Sequence, residues 1–297
     1  MGLRRHRARH FRTRSPGCRV SRAKPTVDRS SENGSGGRRP SRPPAILCDI
    51  EGTLISGGSP LPGAFDAVAE LRELGCPLRF LSNIDSRTEQ EVISGLRAQQ
   101  LDIRDGELFL PARAAVQFLS TQPQTAVLAV TSAAVRPVFE QFEKEGQPVT
   151  HVVVGDCRDR LSYALLDEAF RALETGARLL ALQRSRYLIA ADGHHLDTGA
   201  IVAALEYASG QTALVLGKPS PEFGALAAES FGTPPGGPIW VVGDDATTDI
   251  AMGNAIGATT VQVRTGKFND QAVERAAHPA DHQVDSIAEL PAIIRRA

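Results

Sequence analysis

The spacing of apolar residues changes along the chain, and the changes mark out elements. Ala45–Ile50 is a short run that is apolar but for Asp49, as expected of a strand buried on both faces. Over Ala64–Leu74 the apolar positions Ala64, Phe65, Val68, Leu71 and Leu74 fall on one helical face, and Gly75 stands where a helix C-cap is expected. Leu78–Leu81 predicts a second strand. Ser86–Gln99 predicts a helix opened by a Ser-x-x-Glu capping box from Ser86 to Glu89. The order strand, helix, strand, helix implies a parallel sheet with helices on its faces, because right-handed crossovers leave few other arrangements.

The same rhythm returns near the C-terminus. Ala213–Leu216, Ile239–Val242 and Thr260–Val263 predict strands, and Glu222–Phe231 and Thr247–Ile256 predict helices. The intervening region has units of its own. Ala126–Val130, His151–Val154, Arg178–Leu182 and Tyr187–Ala190 predict strands, and Ala133–Glu145, Tyr163–Thr175 and Thr198–Ala208 predict helices. The expected fold is therefore α/β, a Rossmann-like parallel sheet core with a second α/β domain inserted into it. The core is expected over 43–110 and 209–297, and the insertion over 111–208. No internal repeat is found.

Charge sets the first 42 residues apart. They hold twelve Arg and one Lys against Asp28 and Glu32, with few apolar residues, and so cannot bury enough surface to fold. A disordered tail or an over-extended start is expected there, with a targeting or polyanion-binding arm as the alternative; no apolar run of a secretory signal is present. The other 255 residues carry 20 basic and 32 acidic side chains, a balance that disfavours a nucleic-acid-binding body. Aromatic residues make up only 5%, too few for a base-stacking platform. No run of apolar residues is long enough to span a membrane. Cys18, Cys48, Cys76 and Cys157 form no CxxC pair and read as free thiols of a reducing, cytoplasmic compartment.

Chemistry-bearing residues collect at predicted strand ends. In open parallel sheets the ligand crevice lies beyond the carboxyl ends of the strands. Asp49 ends the first strand, Ser82 and Asn83 close the second, Lys218 follows Ala213–Leu216, and Asp244 and Asp245 follow Ile239–Val242. If these strands are neighbours, carboxylates, a hydroxyl, an amide and an ammonium meet in one place. Such an oxygen-lined site suits Mg²⁺ together with a phosphoryl group. Each signal alone has a plainer reading, as turn former, helix cap or solvated lysine. Their recurrence in order at four strand ends does not. Competing motifs fail: Gly210 to Lys218 has the wrong spacing for a P-loop, and GxSxG, HExxH and GxGxxG are absent. His194-His195 reads as a polar turn, and His278 and His282 as loop residues.

These residues resemble the haloacid dehalogenase superfamily, specifically its phosphatases whose cap is inserted between the second and third motifs. The matching segments are CDIEGTL at 48–54, RFLSN at 79–83, VLGKPSPEF at 215–223, VVGDDATTDIAMGNAIG at 241–257 and VQVRTGKF at 261–268. Segments 176–193 and 199–210 are similar to the branch related to phospholysine/phosphohistidine/inorganic pyrophosphate phosphatase. The resemblance covers about residues 45–296. It implies that Asp49 attacks phosphorus and forms an aspartyl-phosphate, and that Asp49, Asp244 and the backbone carbonyl of Glu51 hold Mg²⁺. It implies further that Ser82 and the amide of Asn83 hold phosphoryl oxygens, that Lys218 neutralises charge, and that Asp245 and Asp249 support the metal site from behind. Gln183 and Arg184, on the turn after a cap strand, are placed near the leaving group, Arg184 alternatively being a solvated turn residue. A cap-mediated homodimer is compatible with the resemblance.

One position departs from the pattern. The superfamily's phosphatases usually carry Asp-x-Asp in the first motif, where the second Asp is the general acid/base; here the motif is Asp49-Ile50-Glu51. General acid/base catalysis contributes roughly 10²–10⁴-fold, so the longer arm of Glu51 bears on rate and substrate more than on fold. The expectation is a Mg²⁺-dependent phosphatase for a small phosphorylated metabolite or pyrophosphate. The alternative is a catalytically weak or inactive protein of the same fold that binds phosphate compounds or a protein partner. A dehalogenase is disfavoured by Asp244 and Asp245, since that chemistry needs no metal.

Overall fold

Short runs of β-branched and aliphatic residues form strands buried on both faces, and amphipathic stretches between them form the covering helices. The structure, a computed structural model, describes residues 42–190, 192–232 and 237–296. In chain order the elements begin with β1 (Ala45–Asp49), a hairpin of β2 (Ile55–Ser56) and β3 (Ser59–Pro60), α1 (Ala64–Glu73), β4 (Leu78–Leu81), α2 (Glu89–Ala98), β5 (Leu108–Phe109) and α3 (Pro111–Ser120). Next come β6 (Val127–Val130), β7 (His151–Val154), α4 (Tyr163–Glu174), β8 (Arg178–Ala181), a hairpin of β9 (Tyr187–Ala190) and β10 (Gly193–Leu196), α5 (Thr198–Ser209) and β11 (Leu214–Val215). The last part holds α6 (Pro221–Glu229), β12 (Ile239–Gly243), α7 (Ala251–Ala255), β13 (Thr259–Val263), α8 (Ala272–Ala277), β14 (His282–Val284) and α9 (Leu290–Ile294).

Two parallel sheets result. The larger has the order β14-β13-β12-β1-β4-β5 and draws on both ends of the described chain. The smaller, β11-β8-β7-β6, comes from the middle. Because strand side chains alternate, β1 feeds two cores. Ile46 and Cys48 pack with Val68, Leu71, Phe80 and Val242 on one face. Leu47 packs on the other with Leu81, Phe109, Phe223 and Val241, in a cluster that continues into the smaller sheet through Val153, Leu180 and Leu216. The far face of the smaller sheet is covered by α4 and α5 around Val152, Val154, Leu173, Val202 and Leu205.

Helix ends follow local signals where these were read correctly. α1 stops at the expected glycine. Gly75 takes φ 76°, its N–H bonds the Arg72 carbonyl at 3.0 Å, and the Cys76 N–H bonds that of Leu71 at 3.0 Å. Several expectations are corrected. The capping box runs from Thr88 to Glu91, not from Ser86 to Glu89: Thr88 Oγ1 accepts the Glu91 N–H at 3.2 Å, and Glu91 Oε2 accepts the Thr88 N–H at 2.8 Å. Ser86 stays out of the helix, its carbonyl taken by the Ser132 hydroxyl at 3.0 Å. The helix expected over Ala133–Glu145 contracts to a 3₁₀ segment, Arg136–Phe142, with Pro137 in its first turn and Phe139 its buried side chain. The helix expected from Thr247 begins as a π-type turn, Ala246–Ile250, before α7. His194 and His195 lie on β10 rather than in a turn, and His194 stacks on Tyr187 at 4.8 Å.

The strand before Lys218 is placed differently from the expectation. β11 was expected beside the core strands; it pairs in parallel with β8 of the smaller sheet, Leu214 opposite Leu180 and Val215 opposite Ala181. The tail expected over 1–42 lies outside the described residues apart from Arg42, and so does Cys18. Cys48, Cys76 and Cys157 are buried free thiols. Among the described residues no helix is long and apolar enough to cross a membrane.

Candidate active site

The order β12-β1-β4 in the larger sheet puts three functional strand ends side by side. Asp49 pairs with Leu81, so Ser82 follows immediately beside it, and Cys48 pairs with Val242, just ahead of Asp244. A cleft of about 360 Å³ opens over these ends. Asp49, Glu51, Ser82, Asn83, Gln183, Lys218, Asp244, Asp245 and Asp249 all line it.

Lys218 is the hub. Its Nζ donates to Asp49 Oδ1 and, at 2.7 Å, to Asp249 Oδ1. All three side chains are nearly sealed from solvent, with Lys218 7% exposed. Burial works against the lysine's charge, but Asp249 and Asp49 outweigh it and hold the ammonium above its usual range. The backbone of Lys218 is fixed by a reciprocal pair from Asn83, whose Oδ1 accepts the Lys218 N–H at 2.8 Å and whose Nδ2 donates to the Lys218 carbonyl at 2.9 Å. Thus the side chain of Asn83 is spent on positioning Lys218. Although β11 belongs to the other sheet, this clasp delivers Lys218 to the core strand ends.

The carboxylates divide into two kinds. Asp49, Asp244 and Asp249 each offer an oxygen, and these lie within 4.8 Å of one another. Burial raises Asp49, with Lys218 opposing and Asp244 adding to the rise. Burial and then Asp249 push Asp244 up to about 6, and burial and then Asp49 push Asp249 up to about 7. Asp245 behaves oppositely. Burial opposes its charge, but the Lys267 ammonium at 2.8 Å, the Thr247 hydroxyl at 2.7 Å and Gln271 Nε2 at 2.9 Å hold it well below the usual carboxylate range. Its Oδ1 also accepts the Thr247 and Thr248 N–H groups that open the π-type turn.

Three crowded carboxylates against one ammonium leave negative charge without a counterion, and an all-oxygen set fits a hard divalent cation. Backbone clearance supports the same fit. Gly52 and Gly266 approach Asp244 so closely that a Cβ on either would collide with its carboxylate. The Lys267 N–H donates to Asp244 Oδ2 at 2.7 Å, and Gln262 Nε2 holds the Asp244 carbonyl at 2.9 Å. Asp249, expected behind the metal site, stands within this carboxylate group.

Two expected residues behave otherwise. The Glu51 side chain is exposed, and its Oε1 accepts the Gly57 N–H of the β2–β3 connection at 3.0 Å. Arg184 does not line the cleft; its Nη2 pairs with Glu206 of α5 at 2.5 Å. Gln183 is there, but its amide is engaged by the segment between β8 and α5, donating to Asp197 Oδ1 at 2.9 Å and accepting the Ser185 N–H at 2.5 Å. The sequence reading missed Thr53, whose hydroxyl donates to Asp49 Oδ2 at 3.2 Å, and also Lys267, Gln271 and Asp85. Lys267 lies within the matched segment VQVRTGKF, which was given no role. Thr53 likewise lies within the matched segment CDIEGTL, whose only assigned residues are Asp49 and Glu51, and Asp85 carries no periodic or motif signal of its own.

Comparison with known proteins agrees with this architecture. The family model for haloacid dehalogenase-like hydrolases matches residues 46–145, and a second, HAD-hydrolase-like, matches 215–290. The chain is 33% identical over 250 residues to the human phospholysine phosphohistidine inorganic pyrophosphate phosphatase, covering 82% of this chain and 91% of the relative. It is 31% identical over 252 residues to human haloacid dehalogenase-like hydrolase domain-containing protein 2, covering 82% and 96%. Among solved structures, the p-nitrophenyl phosphatase from Archaeoglobus fulgidus superposes with a TM-score of 0.75 at 25% identity, covering 85% of this chain and 99% of that one.

Proposed function

The chain belongs to the haloacid dehalogenase-like hydrolase family and is a phosphatase of it; we propose that it is Mg²⁺-dependent and hydrolyses a small phosphorylated molecule through an aspartyl-phosphate on Asp49. The observation that carries this reading is Lys218 bridging Asp49 and Asp249 inside the buried carboxylate group. Asp49, Asp244 and Asp249, with the Glu51 carbonyl, are the proposed metal ligands. When bound, Mg²⁺ supplies positive charge to phosphoryl oxygens and so draws the phosphate toward Asp49.

In this reading Lys218 keeps Asp49 ionised despite its burial, leaving a carboxylate oxygen as nucleophile. Ser82 Oγ and backbone N–H groups of the 82–83 turn receive phosphoryl oxygens. The bond from phosphorus to the leaving oxygen breaks as the bond to Asp49 forms, and Glu51 gives that oxygen its proton. Glu51 then takes a proton from the water that attacks phosphorus, which releases phosphate and restores Asp49. The hydrogen bond from Gly57 sets the starting direction of the Glu51 arm. Segment 111–208 acts as an inserted cap that supplies Gln183 and its neighbours to the cleft.

The test is phosphate release from p-nitrophenyl phosphate by wild type and Asp49→Asn, each in Mg²⁺ and in EDTA. Wild-type turnover in Mg²⁺ is expected to fall to background in EDTA and in the variant. Undiminished turnover by Asp49→Asn would remove the nucleophile from the proposal; undiminished turnover in EDTA would remove the metal.

A further inference from the structure

The phosphoryl group, on the reading above, occupies the end of the cleft over Asp49, Ser82 and Lys218. Whatever that group is attached to must extend into the remainder, between the loops that follow β4 and β7 and the start of α5. That remainder is acidic. Asp85 comes from the loop after β4, Asp156 from the loop after β7, and Asp197 from the residue before α5; all three line the cleft. The basic side chains lining it are Lys218 and Lys267, and both are held by the metal-side aspartates. Arg184, the residue suited to reading an anionic leaving group, is turned away onto Glu206.

The three acids share a pattern of partners. Asp85 is 5% exposed, and its Oδ2 takes the Thr198 hydroxyl at 2.6 Å and the Asp156 N–H at 3.0 Å. Asp156 Oδ1 takes the N–H and Nε of Arg158 at 3.1 and 3.0 Å. Asp197 Oδ1 takes Gln183 Nε2 at 2.9 Å and the Thr198 N–H at 2.8 Å. In each carboxylate one oxygen is thus fixed to the protein, while the other makes no hydrogen bond among the described residues. For Asp85 this is notable because the side chain is otherwise enclosed; its Oδ1 is not among the sealed polar atoms and so opens to the cleft. Nor do these oxygens converge on a point. Among the described residues the group close enough to hold a metal ion is Asp49, Asp244 and Asp249, on the other side. Spread acceptors of one sign, one of them deeply buried, suit an organic cation with several N–H donors better than a bare ion.

We propose that the substrate is a phosphate ester whose leaving group carries an ammonium group, received by Asp85 Oδ1 with Asp156 and Asp197 beside it. The same chemistry disfavours pyrophosphate and carboxylated phosphate esters, whose second anion would enter an acid-lined space. This rests on the phosphatase reading, and it narrows that reading from any small phosphate compound to a cationic class.

The test uses two phosphate esters of matched size, O-phosphoethanolamine and phosphoglycolate, with the full chain in Mg²⁺. The expected kcat/KM is at least about tenfold higher for the amine, the effect of one charge-assisted hydrogen bond. Asp85→Asn is expected to shrink that ratio toward one, and Asp197→Asn to lower it partially. Because the ratio is taken within each variant, a loss of folded protein cancels, and Asp197→Asn carries the comparison if Asp85→Asn does not fold. A wild-type ratio of one or below, or a ratio unmoved by both substitutions, overturns the proposal. If no ester is turned over, p-nitrophenyl phosphate included, the phosphatase reading fails; calorimetric titration of the wild-type protein with the two esters then decides the charge preference. Tighter binding of the amine upholds it, and equal or weaker binding overturns it.

Discussion

The two sides of the cleft are both built from aspartates, but they are neutralised differently. On the metal side Asp49 and Asp249 pair with Lys218, Asp244 stands beside them, and Asp245 is held by Lys267, Gln271 and Thr247. On the junction side Asp85, Asp156 and Asp197 are anchored by hydroxyl, amide and backbone donors, with the half-exposed Arg158 the paired cation. A buried carboxylate that meets an ammonium, as Asp49 and Asp249 do, has a cation opposing the rise that burial and neighbouring acids impose. One that meets only neutral donors is ionised at a cost and gains most from a cation brought by something else. The metal side is therefore suited to chemistry and the junction side to selection.

The sharpest way to break this comparison is to remove the cation from the metal side. Lys218→Met leaves Asp49 and Asp249 buried without their partner. Loss of one member of a buried pair costs about 3–5 kcal/mol, so the melting temperature is expected to fall steeply and turnover by more than about 10²-fold. A melting temperature equal to that of wild type would show that the lysine is not the hub.

A smaller effect, with a pH signature, is expected from Asp85→Asn. Burial pushes Asp85 up to about 6, with Asp197 and Asp156 adding to the rise and the Thr198 hydrogen bond opposing it. A folded-state value above the unfolded one means that the folded chain binds the extra proton, so this group's contribution to stability falls as pH rises from about 4 through about 6. The substitution removes that slope. The melting temperature of Asp85→Asn minus that of wild type should therefore grow between pH 4.5 and pH 7, by the equivalent of about 3 kcal/mol at most. A difference that shrinks over that range would mean that Asp85 is stabilised as a carboxylate.

The smallest effect is expected from Arg184→Ala. Its pair with Glu206 is half exposed on the arginine side, so stability should change by no more than about 1 kcal/mol and kcat/KM by less than about threefold. A tenfold loss of kcat/KM for an anionic substrate would return Arg184 to the cleft and weaken the contrast between its two sides.

Much of the fold could be read from the chain. The limits of α1, α4 and α5, and the strands β1, β4, β7, β12 and β13, follow from periodicity and, for α1, from the cap at Gly75; Ser162 and Asp197 cap α4 and α5 in the structure. Asp49, Ser82, Lys218 and Asp244 were recognisable as candidates because each ends or follows a predicted strand, and all four line the cleft. The hairpin β2–β3, the strand β10 that pairs with the expected β9, and the shortened segment Arg136–Phe142 escaped, being too short or too exposed to impose a clear period.

What the sequence determined by itself is therefore local: which stretches are strands or helices, where most of them stop, and which reactive side chains sit at strand ends. Hydrogen bonds between neighbours and the alternation of buried faces act over a few residues, so their traces are written in order along the chain. The tertiary structure alone decided who meets whom. It joined β11 to the smaller sheet while Asn83, 135 positions from Lys218, clasped the lysine into the core site. It brought Asp249 in among the clustered carboxylates, turned Arg184 onto Glu206, and placed Asp85 against Thr198, 113 positions away. Each of those outcomes depends on charge compensation and burial between distant segments, and those energies exist only once the two sheets have packed together.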